Sequence, residues 1–310
     1  MSHGKHVAVC IATFKRPEGL RRLLEAIAAL DWDGPITTIV VDNDPASGDS
    51  FSICQALAPG FPSDLVCKTE SQPGIPFPRN AAIEEAISRG ADLLAFIDDD
   101  ERPSPDWLRC LYSGIALGAD VAGGPQIPVF PPSANDQHRA TPYYGHDRPL
   151  ASGAICQLQS SGNFMATAAV LEPHGPGWFA PRYAQTSGAD HDLFRRLDRA
   201  GARMRWIPEA AVAEDIPDHR LSENWLRDRV IEIHNGRVRI DSEYQTGALK
   251  RLERVTKTVA LGLYAVVLST IAKAKPSLAH EARLNRWKFI GKSRAHVGWI
   301  SHRVEDRPTP

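Results

Sequence analysis

Three signatures are missing from this 310-residue chain, and each absence removes a class of chemistry. No Gly-x-Gly-x-x-Gly follows the first apolar run, which excludes a dinucleotide oxidoreductase. No Gly-x4-Gly-Lys-Ser/Thr occurs, which excludes a P-loop phosphotransferase. The loop after the first run, Thr13-Phe-Lys-Arg-Pro17, is not glycine-rich, as a nucleotidyltransferase would want. Cysteine is sparse: Cys10, Cys54, Cys67, Cys110 and Cys156 are odd in number and form no Cys-x-x-Cys pair. That argues against a zinc site or a disulfide framework and for a reducing compartment. The first residues show no basic-then-apolar leader, so a cytoplasmic setting is expected. No internal repeat or low-complexity stretch stands out.

What is present is an ordinary globular composition, 43% hydrophobic and 24% charged, enough for one large domain or two smaller ones. The net charge of −1 conceals an asymmetry: residues 1–216 hold 18 Lys and Arg against 27 Asp and Glu, and residues 217–310 hold 18 against 10. An acidic body with a basic tail suggests an anionic partner for the tail, such as a membrane surface. Nothing calls for nucleic acid.

The first 100 residues alternate strand and helix signals. Residues 7–12, 36–41, 65–68 and 93–97 read as strands, and 16–30, 51–57 and 80–89 as helices. This order predicts an α/β fold with a mostly parallel, Rossmann-like sheet flanked by helices. Residues 123–150, rich in Pro, Gly and His, read as a long irregular segment. A strand over 161–170, a helix over 187–201 and strands near 203–207 and 212–215 follow. The division expected is a catalytic domain over 1–216 and a basic helical region over 217–310. Within the latter, Thr258–Ala272 is an uncharged run of 15 residues flanked by lysines. It is short for a membrane span of about 20 residues. An in-plane amphipathic helix, a buried core helix and a span are the three readings.

The string Asp98-Asp99-Asp100-Glu101 ends an apolar run abruptly. Adjacent carboxylates repel, and a divalent cation with oxygen ligands would relieve them. A solvated acidic turn before Pro103 and Pro105 is the other reading. Further polar clusters end other strands or loops: Thr13-Phe-Lys-Arg16, Asp42-Asn-Asp44, and Gly74 through Arg79-Asn80. Thr13 and Asn80 suit helix caps, and Asp42 suits a turn. All fall on one topological side, the carboxyl ends where α/β sheets bind ligands. Asp190 and Asp192 begin the 187–201 helix, where acids favour the dipole. His191 between them reads as exposed and incidental. Trp178, Trp206 and Trp225 are candidates for stacking on a ligand, with core packing the default for each.

Taken in order, Val9-Cys-Ile-Ala-Thr-Phe-Lys-Arg-Pro17, Val40-Val-Asp-Asn43, Gly74-(x)4-Arg-Asn80-(x)2-Ile83 and Phe96-Ile-Asp-Asp-Asp-Glu101 resemble the family 2 glycosyltransferases over about residues 5–240. The spacing is most similar to the bacterial branch that builds exopolysaccharide. The resemblance implies a GT-A fold, a nucleoside-diphosphate sugar donor (a UDP-sugar first), Mg2+ or Mn2+, and an inverting transfer. Its acceptor would be a lipid-linked (glycolipid) or polysaccharide precursor, at the inner face of the cell membrane. It assigns Thr13 and Arg16 to the nucleotide pocket and Asp42 to the base. Arg79 and Asn80 fall near the nucleotide and sugar, and Asp98 near the ribose or sugar. Asp100 goes to the metal, with Asp99 among the donor residues in an ambiguous role. Asp190 takes the place of the general base. The family glutamate beside it is Ala189 here, with Asp192 the substitute candidate; a sugar-binding subunit without activity is the alternative reading. Arg227 and Arg229 would reach a diphosphate or lipid phosphate, or form a solvated basic face. The Arg220–Arg229 segment lacks the Gln-x-x-Arg-Trp motif of processive synthases, so one sugar is added per event.

Overall fold

The computed structural model describes residues 4–44 and 46–302. In chain order the elements are β1 (Val7–Thr13), α1 (Pro17–Ile27), β2 (Ile36–Asp42), α2 (Asp49–Leu57), β3 (Asp64–Thr69), α3 (Pro76–Ser88) and β4 (Leu93–Ile97). There follow β5 (Glu101–Pro103), α4 (Trp107–Ala116), β6 (Val121–Gly123), β7 (Gln126–Val129), α5 (Asp136–Arg139), β8 (Ala154–Ile155), β9 (Asn163–Thr167) and α6 (Ala168–Leu171). The chain continues with α7 (Ala189–Arg199), β10 (Met204–Trp206), β11 (Val212–Asp215), α8 (Glu223–Tyr244), α9 (Ala248–Ala274) and α10 (Ala279–His296).

Two compact units result. The first comprises the chain up to Val129, Gly145–Ala184 and Ala189–Asp215. Its eight-stranded sheet has the order β3-β2-β1-β4-β9-β6-β10-β8. β3, β2, β1 and β4 are parallel, as the alternation predicts, and β9 enters antiparallel to both β4 and β6. Parallel strands covered on both faces must be apolar almost throughout, and β1 and β4 are. Leu20, Leu23, Leu24 and Ile27 of α1, at helical spacing, close one face over Val7, Val9 and Ile11. Trp107, Leu108 and Leu111 of α4 belong to the same core.

Register then fixes the site. Thr13 lies opposite Asp42, and Asp42 opposite Thr69. Ile97, the last residue of β4, lies opposite Asn163, the first of β9. The acidic string and the Ser161-Gly162 turn therefore share one edge. α3 begins at Pro76, earlier than the pattern predicts. The first turn of a helix has no intrahelical partner for its N–H groups, so Pro76 and Pro78 both fit there. Arg79 thereby closes the first turn and Asn80 opens the second. The acidic string does not end in a free turn: β5 pairs antiparallel with β11, Glu101 opposite Glu214. Pro103 is accommodated because β5 is an edge strand of the small sheet β5-β11-β7.

The second unit comprises Phe130–Tyr144, Gln185–Gly188 and the chain from Ile216 onward. Ser222 caps α8 by accepting from the Trp225 N–H. Leu226, Val230 and Ile231 of α8 pack on Leu284 and Trp287 of α10. Two glycines permit close helix crossings: a side chain at Gly291 would meet the Ile231 backbone, and one at Gly262 the Phe289 ring. Buried Asn235 donates to the Trp299 carbonyl and accepts from the Ser301 N–H, which ties down the segment after α10.

Candidate active site

Each acid of the 98–101 string meets a different environment. Asp98 is partly exposed and accepts from Arg79 Nη2. Asp99 is buried. It accepts from Thr13 Oγ1 at 2.8 Å and from Arg16 Nη1 at 2.8 Å. Burial pushes its carboxyl up to about 6, against the pull of Arg16. Asp100 is partly exposed and accepts from the same Arg16 nitrogen at 2.9 Å. Glu101 is fully buried, accepting from the Asp98 N–H at 2.9 Å and from Gln126 Nε2. Burial, then the neighbouring Asp98 and Asp100 charges, push its carboxyl well above the ordinary range, which favours the neutral form.

Arg79 is the hub. The residue is 6% exposed, and its guanidinium lies over the Phe179 ring. Nη2 donates to Asp98, and Nη1 donates to the Ser161 carbonyl at 2.8 Å and to Ser161 Oγ. The Ser161 N–H in turn donates to Asp190 Oδ2 at 3.3 Å. Asp98 and Asp190, far apart in sequence, are thus joined through two intermediates. Asp190 sits partly exposed on the first turn of α7. Backbone space is tight here: a Cβ on Gly162 would lie 2.7 Å from Glu101 Oε1 and 2.9 Å from Asp98 Oδ2.

The other site candidates have their partners as follows. Asp42 is buried and accepts from the Asp44 N–H at 2.8 Å. The Asn80 amide bridges the Phe179 backbone in both directions, at 2.9 and 2.8 Å. Asp192 is wholly buried between Arg182, at 2.7 Å, and Arg196, at 3.0 Å. That pairing makes it a helix anchor with no exposed oxygen for a substrate. His191 is a correction: it is buried, because the inner face of α7 carries it with Leu193 and Phe194. Trp206 and Trp178 are core residues, the latter donating to the Leu171 carbonyl. Trp225 stacks on Tyr144 in the second unit. Arg227 and Arg229, on α8 in that unit, pair with Asp228 and with Glu232 of the same helix.

Sequence reasoning gave no role of their own to Glu101, Gln126 and Phe14. Glu101 stands beside three aspartates, and its burial depends on β11, more than a hundred residues on. Phe14 is 52% exposed at the carboxyl edge, next to Lys15, whose φ of 55° is left-handed. An exposed aromatic just past a buried strand was the available signal.

Among the described residues, no three Asp, Glu, His or Cys side chains converge on one point. A hard cation needs fewer: Mg2+ is commonly held by one or two carboxylates, with water and substrate phosphates completing its shell. The partly exposed carboxylate of Asp100, an oxygen donor, is compatible with that arrangement.

Most of the chain has known counterparts in fold. It is similar to residues 1–349 of S. aureus TarS in complex with UDP, with TM-score 0.53 and 14% identity over 94% of this chain and 92% of that one. It is also similar to the mannosyltransferase PcManGT of Pyrobaculum calidifontis in complex with GDP-Man and Mn2+, with TM-score 0.58 and 16% identity over 95% and 88%. At these identities the likeness concerns the fold, which is GT-A. The succinoglycan biosynthesis protein ExoM of Rhizobium meliloti (strain 1021) is 28% identical over 237 residues, 72% of this chain and 71% of that protein. Residues 8–173, more than half of the chain, match Glycosyl transferase family 2, and with the parallel sheet and acidic edge already in place the chain belongs to that family and is a glycosyltransferase.

Proposed function

We propose that this glycosyltransferase moves one sugar per event, with inversion, from a nucleoside-diphosphate sugar to a lipid-linked or polysaccharide acceptor in cell-surface polysaccharide synthesis. A UDP-sugar is the first choice of donor. The observation that carries the reading is the connection Asp98–Arg79–Ser161–Asp190, which links a partly exposed carboxylate just past β4 to one on α7. Inversion needs a single displacement: a base takes the proton from the acceptor hydroxyl as its oxygen attacks the anomeric carbon, and the diphosphate leaves from the opposite face. Asp190 is the base in this reading, and its partial exposure leaves room for an acceptor.

Arg16 and Thr13 line the nucleotide side, with Asp42 at the base and Asp98 at the ribose or sugar. Arg79 and Asn80 act as positioning residues. Asp100 would hold Mg2+ or Mn2+, which when bound offsets charge on the leaving diphosphate. The relatives support the donor class: TarS is seen with UDP, and PcManGT with GDP-Man and Mn2+. The ExoM relative, by its name, supports the pathway class. The setting proposed is the cytoplasmic face of the membrane, attached peripherally.

Calorimetric titration of UDP and GDP with Mn2+, then with EDTA, tests the donor reading. One nucleotide should bind only with metal. Asp100→Ala should abolish that metal-dependent binding, and binding by Asp100→Ala equal to wild type would overturn the metal assignment. A second reading, a sugar-binding subunit without transfer, draws on Ala189, which stands where the family has glutamate. Donor turnover by the purified chain would eliminate it.

A further inference from the structure

Helix α9 is long and apolar enough to cross a membrane, yet only 22% of its most apolar stretch is buried. A buried core helix is therefore excluded. The inner stripe, Thr258, Gly262, Ala265 and Leu268, is the buried part. On the outer face Leu249, Leu252, Leu263, Val266, Val267 and Ile271 are each 47–79% exposed. No described residue covers them. Glu253, paired with Lys250 and Lys257, interrupts this face, and the uncharged part from Val259 to Ile271 runs about 18 Å at ~1.5 Å per residue, still more than a scattering of surface apolar residues.

The surroundings of the strip identify its occupant. Lys257, paired with Glu253, precedes the uncharged run and Lys273 and Lys275 follow it, and all three lysines are exposed. On α8 and α10, Arg237, Lys288 and Lys292 crowd together. Burial, then the Arg237 charge, lowers the Lys292 ammonium below its usual value, and Lys288 and Lys257 add to that. Residues 217–310 carry 18 Lys and Arg against 10 Asp and Glu. Two copies meeting on this face would bring like charges together, whereas an anionic bilayer supplies both an apolar interior and neutralising headgroups. Spanning is disfavoured as well. α9 packs along α10, which carries Arg283, Arg286, Lys288 and Lys292, and a span would draw those cations toward the hydrocarbon or strip α10 away.

We propose that α9 lies in the plane of an anionic lipid surface, with its outer face at the acyl boundary and the surrounding lysines and arginines at the phosphate level. This deepens the peripheral location above, and its test does not depend on the donor reading. The full chain is sedimented with vesicles of phosphatidylcholine alone and of phosphatidylcholine with phosphatidylglycerol. It should bind the mixed vesicles, bind neutral ones weakly, and lose affinity as salt rises. Leu263→Glu with Val267→Glu, both at exposed positions, should weaken vesicle binding by about tenfold or more and leave UDP or GDP binding unchanged. Lys273→Gln with Lys275→Gln should keep the fold and reduce the salt-sensitive part of the binding. The proposal is overturned if wild type binds neither vesicle, or if the double glutamate variant binds as wild type does. It is equally overturned if lipid-free wild type is a dimer by light scattering and that variant a monomer, which would give the face to a second copy. Loss of nucleotide binding alone would count against the donor reading and leave this one standing.

Discussion

The acidic edge of the sheet and the outer face of α9 are both unfavourable as read from their letters, and the chain treats them in opposite ways. At the edge each costly group has a partner within its own unit. Asp99 has Thr13 and Arg16, Asp98 has Arg79, and Asp192 has two arginines. On α9 the exposed leucines and valines have no described residue over them. The first region is organised before any ligand arrives. The second is organised for contact with something outside the chain.

The comparison sharpens most at Asp190. Asp190→Asn should lower transfer by roughly 100- to 10,000-fold, the usual worth of a positioned base, with donor affinity retained. Normal transfer by this variant would break the base assignment. Asp192→Asn, two residues on, should behave as a structural change. Its partners are partly exposed, Arg182 at 53%, so the loss is discounted to about 2 kcal/mol, read as a lower Tm with transfer per folded molecule preserved. If instead Asp192→Asn keeps its Tm and loses turnover, the anchor and base roles have been exchanged.

A smaller effect belongs to the helical unit. Burial, then Arg237, Lys292 and Lys288, hold His234 at a pKa of about 3, below its ordinary 6.5. Its contribution to stability is present above pH 6.5 and is lost as pH falls toward 3, at up to roughly 1.4 kcal/mol per pH unit. His234→Gln should therefore show a shallower fall of Tm between pH 6.5 and 4 than wild type. Parallel profiles would show that folding leaves the titration of His234 unshifted.

Much of the first unit was legible because its signals are local. β-branched apolar runs, helical spacing in α1 and the Gly stop near 201 all act within a dozen residues. The acidic edge was legible as a strand end. What the letters did not show depends on distant chain segments. Glu101 looks like a fourth solvated acid until β11 covers it, and His191 looks exposed until α7 is turned by its apolar neighbours. The exposed face of α9 was ambiguous for the same reason. Only α10 decides which stripe is inner, and from Thr258 to Ala272 both stripes are uncharged, so the absence of charge does not separate them.

The spelling Asp-Asp-Asp-Glu overstates what a visitor meets. Glu101 is favoured in its neutral form, and two guanidinium groups, of Arg16 and Arg79, are in contact with the remaining three acids. The array is close to electrical balance before anything binds. A negatively charged nucleotide approaching this edge meets short-range donors and acceptors, rather than the wall of four anions that a count of letters suggests.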